Sequence, residues 1–163
     1  MQAYRTFLKG GLERYFDIQE DYKLGNHNFD LFASFNQRNA KYMLLKDIEV
    51  YAFQNNEYIL HRKLDHTFDN NDLEWLKRFL DNNLDQIVSC DKEHMSSVVT
   101  FIFESTMPNE KIQKQLSKFK YYKSFSFGLK GWVNVKVMLV DPISNGGITN
   151  KLAKGDLKRF LES

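Results

Sequence analysis

The sequence is poor in cysteine and proline, and it contains no long apolar run. A single cysteine, Cys90, cannot form an intramolecular disulfide, which excludes a disulfide-stabilised scaffold and fits a reducing compartment. Two prolines and eight glycines, with no Pro-rich or Gly/Ser-rich tract, leave no flexible linker between domains. No window approaches the roughly eighteen apolar residues of a membrane span, and the charged N-terminal segment does not resemble a signal peptide. These absences predict one cytoplasmic domain over residues 1–163.

The residues that are present indicate a folded chain with an uneven charge. The apolar fraction is 42% and the aromatic fraction 15%, which is enough for one hydrophobic core. The net charge of +2 hides an asymmetry, because residues 105–163 contain 11 Lys and Arg against 4 Asp and Glu. Residues 1–104 contain 12 against 17. A basic C-terminal third favours an anionic partner.

Apolar periodicity predicts an α+β domain with the element order α-βββ-α-β-α-ββ-α. Helical spacing in the first 16 residues gives way to period two between Phe29 and Phe35. A second apolar stretch, 42–53, and a third, 58–60, flank Asn55-Asn56, which has the residue type of a tight turn. We therefore expect an antiparallel meander over about residues 29–63.

Later segments complete this order. Residues 69–71 offer N-cap oxygens before a strongly amphipathic helix, and 98–103 has the composition of a buried strand. Pro108 and Asn109 open a helix, 148 begins a short strand, and 156–161 predicts a terminal helix. A β-hairpin over about 121–140 would turn at Lys130-Gly131, which puts Lys123 opposite Met138 and Ser124 opposite Val137.

The first candidate site is the aromatic and basic run in this hairpin. Lys123, Phe125 and Phe127 fall where the RNA-recognition-motif octamer has its basic and aromatic residues, and this local resemblance implies binding of unpaired bases. The alternative, which we favour, is that Phe125, Phe127 and Trp132 belong to the core. The candidate residues for an anionic partner are Lys118, Lys120, Lys123, Phe125, Phe127, Lys130, Trp132 and Lys136.

Two metal sites are weaker alternatives. The element order resembles that of the restriction-endonuclease-like nucleases, which implies two carboxylates on neighbouring strands and a nearby lysine. The residues available for those roles are Asp47, Glu49, Glu57 and Lys63, although we favour solvent-facing strand charges. A structural zinc site could use His61, His66, Cys90 and His94, but surface histidines and one buried thiol explain them better.

Catalytic and cofactor motifs are missing from the sequence. There is no Gly-x-Ser-x-Gly elbow, no phosphate-binding loop and no dinucleotide fingerprint, so we expect no cofactor. The opening order also resembles the type III secretion chaperone-like fold, which implies a protein partner and a possible homodimer. Across most of its length, and especially at 93–97 and 120–132, the chain resembles a family of short bacterial cytosolic proteins of unknown function. We therefore expect a non-enzymatic binding module for an acidic protein surface or a nucleic acid.

Overall fold

The computed structural model describes residues 3–36, 56–88, 96–124 and 131–162, and the strands in these ranges join one mixed sheet. The elements in chain order are α1 (Tyr4–Leu12), β1 (Asp17–Leu24), β2 (His27–Phe35), β3 (Asn56–Lys63), α2 (Asn70–Ile87), β4 (Ser96–Glu104), α3 (Glu110–Ser117), β5 (Tyr122–Ser124), β6 (Trp132–Asp141), β7 (Gly146–Thr149) and two short 3-10 helices, Lys151–Ala153 and Leu157–Phe160. The predicted α+β class is confirmed, and the observed element order agrees with the predicted one in outline.

The sheet has the strand order β1-β2-β3-β4-β6-β5, and β7 also pairs with β6. Neighbours are antiparallel from β1 to β3, whereas β3, β4 and β6 are parallel to one another. Parallel neighbours need long crossovers, and the two crossovers contain α2 and α3. The carboxyl ends of three strands therefore meet at one edge of the sheet, at Lys63, Glu104 and Asp141.

Both faces of the sheet are covered, because successive side chains of a strand point to opposite faces. One face packs against α2 and α3; its cluster includes Phe29, Leu60, Phe101, Val133, Val135, Val137, Leu139, Leu76, Phe79, Leu80, Leu84 and Leu116. The other face packs against α1 and the second 3-10 helix; its cluster includes Leu31, Ala33, Ile59, Ile102, Met138, Val140, Tyr4, Leu8, Leu12 and Phe160. The central strand β4 is buried from Ser97 to Phe103.

Helix α2 forms where the sequence predicts it. Asp69 is the N-cap, and its side chain accepts hydrogen bonds from the backbone N–H groups of Asn71 and Asp72, while the Asp69 N–H donates to the Asp72 side chain. Such a capping box satisfies backbone donors that the first turn leaves free and contributes about 1 kcal/mol. None of the described helices, α2 included, is long and apolar enough to cross a membrane.

The meander begins earlier in the chain than predicted, at Asp17, and ends as predicted at Lys63. The sequence analysis missed β1, because this edge strand is mostly exposed and Glu20 interrupts the alternation of Ile18, Tyr22 and Leu24. The predicted turn at Asn55-Asn56 is wrong in its second residue: Asn56 is buried within β3 and pairs with Ser97 of β4. The predicted strand 42–53 lies outside the described residues.

Two predicted helices are shorter in the structure. Helix α1 ends at Leu12, directly after Gly10 and Gly11, which are poor helix formers. The terminal helix expected over 156–161 is a single 3-10 turn, Leu157–Phe160. The expected short strand at 148 is β7, and the helix expected after Asn109 is α3.

The predicted hairpin pairs in a different register. Ser124 lies opposite Trp132 and Lys123 opposite Val133, where the prediction put them opposite Val137 and Met138. Gly131 has the positive φ expected of it, +100°. The predicted partner positions, Val137 and Met138, are already taken, because the chain that follows β6 folds back along the same edge.

Candidate functional site: a basic sheet edge

The outer edge of β6 is shared by two strands with a gap between them. β5 pairs with residues 132–134, and β7 pairs with residues 138–141. Asn150, which follows β7, fills the gap with its side chain. Its Oδ1 accepts a hydrogen bond from the Val137 N–H at 3.0 Å, and its Nδ2 donates to the carbonyls of Val135 at 3.1 Å and Phe119 at 3.2 Å. One buried amide thus continues the edge where no strand does.

A notch of about 520 Å³ opens between β5 and the residues around Asn150. Its lining is mostly apolar, and it contains Phe119, Lys120, Tyr121, Tyr122, Asn134, Val135, Asn150, Lys151 and Leu152. Tyr122 is 63% exposed and Leu152 is 50% exposed, which is unusual for side chains of this size. Lys120 and Lys151 are the charged residues of the lining.

A second groove of about 830 Å³ continues from the notch along α3. Asn150 and Lys151 line both openings, and the groove adds Lys114 and Lys154 with one acid, Glu110. Asn109 caps the N-terminus of α3, and the burial of Ile112 and Leu116 leaves Lys114 on the exposed face of the helix. We define the basic edge as Lys114, Lys120, Lys151 and Lys154 together with Tyr122 and Leu152.

The lysines of the basic edge are not neutralised. Elsewhere in the C-terminal third, Lys123 lies 3.3 Å from Asp85 and Lys136 lies 2.6 Å from Asp156. Within the ranges that the structure describes, none of the four basic-edge lysines makes an ion pair. Uncompensated cations around an apolar notch produce a positive local potential that attracts anions.

The residues predicted for an anionic partner divide into three groups. Lys118 and Lys120 are exposed, and Trp132 is 37% exposed on the same side of the sheet as Tyr122. Lys123 forms an ion pair with Asp85, and Lys136 forms one with Asp156. Phe125, Phe127 and Lys130 lie outside the described residues. The sequence analysis missed Tyr122, Asn150, Lys151, Leu152 and Lys154, and only the general basicity of this third pointed to the lysines.

A second polar cluster lies at the carboxyl ends of the parallel strands. This carboxyl-end cleft, of about 490 Å³, contains Asp30, His61, Lys63, Glu104 and Asp141. Clefts in open sheets with parallel strands commonly form at such ends, because the strands there stop together and their loops diverge.

His61 is the most buried polar group of this cleft, at 1% exposure. Its Nε2 lies 3.0 Å from Oε1 of Glu104, and the other carboxylate oxygen is 3.9 Å from Nζ of Lys63. The Nδ1 atom has no hydrogen-bond partner among the described residues. The Tyr4 ring packs 5.4 Å from the imidazole, and burial, with a smaller effect of Glu104, raises the pKa of the Tyr4 hydroxyl.

The four residues predicted for a nuclease site are not brought together within the described part of the chain. Glu57 and Lys63 are six residues apart on β3, a separation of about 20 Å. Burial raises the pKa of Glu57, which lies near Lys136 and Asp156. Asp47 and Glu49 lie outside the described residues. Lys63 has other acidic neighbours: its N–H donates to Asp30 Oδ2 at 2.7 Å, and Glu104 lies near its ammonium group.

The predicted zinc ligands are also separated where the structure describes them. His61 faces α1, whereas His66 lies at the start of α2 on the other side of the sheet. His66 Nε2 is 2.9 Å from Asp72, and Nδ1 is 2.7 Å from Asp65. His66, Asp69 and Asp72 are close enough to share a cation, but their contacts are those of the α2 cap. Cys90 and His94 lie outside the described residues.

Comparison with known proteins identifies a family. The model of a family described as a domain of unknown function, DUF8052, matches residues 1–162, which bears out the expectation of an uncharacterised family. No curated protein and no solved structure matches the chain.

Proposed function

We propose that this chain, which belongs to the DUF8052 family of unknown function, has a non-enzymatic role and binds an anionic partner at the basic edge. The observation that carries this proposal is a group of four lysines with no ion-pair partner among the described residues, around two openings that share Asn150 and Lys151; the four are Lys114, Lys120, Lys151 and Lys154. The partner is a nucleic acid or an acidic protein surface.

The absence of ion pairs at the basic edge, among the described residues, supports this role. A lysine that already has a carboxylate partner gains little from an incoming phosphate, because the new contact replaces an existing one. The basic-edge lysines have no such partner among the described residues, so their full attraction is available. Since binding of a polyanion releases counterions, affinity should fall as salt rises, with a log–log slope of about −3 if four lysines contact a single strand.

The test is a binding titration of the purified protein against single-stranded RNA, single-stranded DNA and polyglutamate at several salt concentrations. Replacing Lys114, Lys120, Lys151 and Lys154 with glutamine should abolish binding while the protein stays folded, because these side chains are exposed. The control variant replaces Lys9, Lys23, Lys77 and Arg78 with glutamine and removes the same charge elsewhere. Salt-independent binding, or equal loss in both variants, would contradict the proposal.

A second candidate function is divalent-metal-dependent phosphodiester hydrolysis at the carboxyl-end cleft. What supports it is the position of two carboxylates, Asp30 on β2 and Glu104 on β4, on either side of Lys63 on β3. Carboxylate oxygens are suitable ligands for Mg²⁺ or Mn²⁺, and an ammonium group stabilises charge on a phosphate. This set differs from the residues expected from the sequence, since only Lys63 is common to both.

Metal binding at this cleft can be measured directly. Millimolar Mg²⁺ or Mn²⁺ should raise the Tm of the wild-type protein and leave that of Asp30→Asn unchanged, since a ligand that binds only the folded state stabilises it. Cleavage of plasmid DNA should then require Lys63. The absence of any Tm shift would rule against this second candidate.

We also propose that the protein acts in the cytoplasm of a bacterial cell, which its single cysteine supports. Fractionation of cells that produce the tagged full chain tests this location, and recovery outside the cytoplasmic fraction would contradict it. The chain acts there as a monomer or a homodimer, two states that analytical ultracentrifugation distinguishes.

A further inference from the structure

Tyr122 of the basic edge forms a pair with a second exposed aromatic side chain, Trp132, which lies beside that edge. In the register of β5 and β6, Tyr122 lies opposite Asn134 and Ser124 opposite Trp132, so Tyr122 and Trp132 are diagonal neighbours on one side of the ladder. Such residues have Cα atoms about 7–8 Å apart, within reach of aromatic side chains. Within the described ranges, four large apolar side chains are exposed, and three of them, Tyr122, Trp132 and Leu152, lie here.

The notch beside this pair offers a hydrogen-bonding group as well as an apolar wall. Asn150 uses its amide fully, in three hydrogen bonds to the backbone. Asn134 is different, because its half-buried side chain lines the notch and makes no hydrogen bond to any described residue. A free amide provides both a donor and an acceptor, which is what the edge of a nucleobase requires.

Two lysines of the basic edge can reach phosphates of a strand bound at the notch. Lys120 precedes β5, Lys151 follows Asn150, and both line the same opening. Lys114 and Lys154 extend the positive charge along the adjoining groove. Aromatic rings beside a positively charged groove are the features by which proteins hold unpaired strands, because every base presents a face that can stack.

We infer that the anionic partner is a single-stranded nucleic acid whose base enters the notch and stacks on Tyr122. This inference rests on the proposed function and specifies its partner. The Asn134 amide contacts the edge of that base, Trp132 stacks on a neighbouring base, and Lys120 and Lys151 contact the flanking phosphates. A duplex keeps its bases stacked inside and cannot present a face to Tyr122, and an acidic protein surface has no need of exposed rings.

The test compares stacking with charge. We would measure the fluorescence anisotropy of labelled twelve-nucleotide RNA and DNA strands, their duplexes and polyglutamate at several salt concentrations and compare them at each one. Tyr122→Leu keeps the residue apolar but removes the ring, and Tyr122→Phe restores the ring. Because stacking of one base is worth about 1–3 kcal/mol, Tyr122→Leu should weaken single-strand binding about 5-fold to 150-fold, and Tyr122→Phe should restore it. The salt dependence should not change in either variant.

A second readout locates the contact. The chain has two tryptophans, and Trp75→Phe leaves Trp132 as the single indole, whose fluorescence single strands should quench. If Tyr122→Leu binds single strands as wild type does, or duplex and polyglutamate bind as tightly, the inference is wrong while the proposed function survives. If no polyanion binds, both fail.

Discussion

Asn150 provides the sharpest test of how the basic edge is built. We expect Asn150→Ala to destabilise the protein by about 3–5 kcal/mol, because it removes three hydrogen bonds and leaves the Val137 N–H buried without a partner. Loss of the bonds to the carbonyls of Val135 and Phe119 costs about 1 kcal/mol each, and the unsatisfied Val137 donor costs about 1–3 kcal/mol. The side chain is 1% exposed, so water cannot replace it without a rearrangement. Such a loss is a large part of a stability of about 5–15 kcal/mol.

The assay is urea unfolding followed by circular dichroism, in which the midpoint should fall while the slope stays unchanged. Amide hydrogen exchange adds a local readout, because the Val137 N–H should lose protection. Asn70→Ala is the matched control: this exposed asparagine bonds only the Glu74 side chain, and its removal should change stability by less than about 0.5 kcal/mol. A cost below about 1 kcal/mol for Asn150→Ala would refute the assigned role.

Asn150→Asp separates hydrogen bonding from packing, because the two side chains have almost the same shape. An ionised carboxylate still accepts from the Val137 N–H, but it turns an acceptor toward the carbonyls of Val135 and Phe119. We expect a cost at least as large as that of alanine at neutral pH. Part of it should be recovered as pH falls, since a protonated carboxyl group can donate.

Three further perturbations follow from the fold. Asp69→Ala should cost about 1 kcal/mol in urea unfolding, because it removes the α2 cap. Gly147→Ala should lower the Tm, since a Cβ there would lie 2.7 Å from the carbonyl oxygen of Leu139 and the β6–β7 pair would have to shift. Hydrogen bonds to Asp65 and Asp72 raise the pKa of His66, so its stabilising contribution is complete below about pH 6.5 and is lost as pH rises through the raised value. His66→Gln should remove that pH dependence, and an unchanged pH profile would contradict it.

Local signals explain which parts of the fold the sequence could predict. Helix α2 was predictable because its cap and its apolar residues are neighbours in sequence, and both act within the helix. β1 was missed because it is a mostly exposed edge strand and one charged residue, Glu20, interrupts its apolar alternation. The hairpin register failed for a different reason. Its turn chemistry was local, but the competing pairing of β7 and Asn150 with β6 depends on residues that lie after the hairpin.

The candidate sites depend even more on contacts that are distant in sequence. Basic composition pointed to the C-terminal third, yet it could not separate Lys136, which pairs with Asp156, from Lys151, which has no ion-pair partner among the described residues. The carboxyl-end cleft could not be predicted from the sequence either. Asp30 and Glu104 become neighbours of Lys63 only because β3 and β4 are parallel and β2 flanks β3 on the other side. No spacing along the chain encodes that arrangement.

The division of the β6 edge links stability to the proposed binding role. A long open strand edge exposes N–H and C=O groups that invite pairing with other chains, and proteins commonly cover or interrupt such edges. Here β5 and β7 cover the two ends of the β6 edge. In the middle, the Asn150 side chain accepts the hydrogen bond of the Val137 N–H, and this side chain is narrower than a strand. The space that a strand would have filled is the notch. One substitution pattern should therefore distinguish the two roles: changes at Asn150 should reduce stability first, whereas changes at Tyr122 should reduce binding and leave the fold intact.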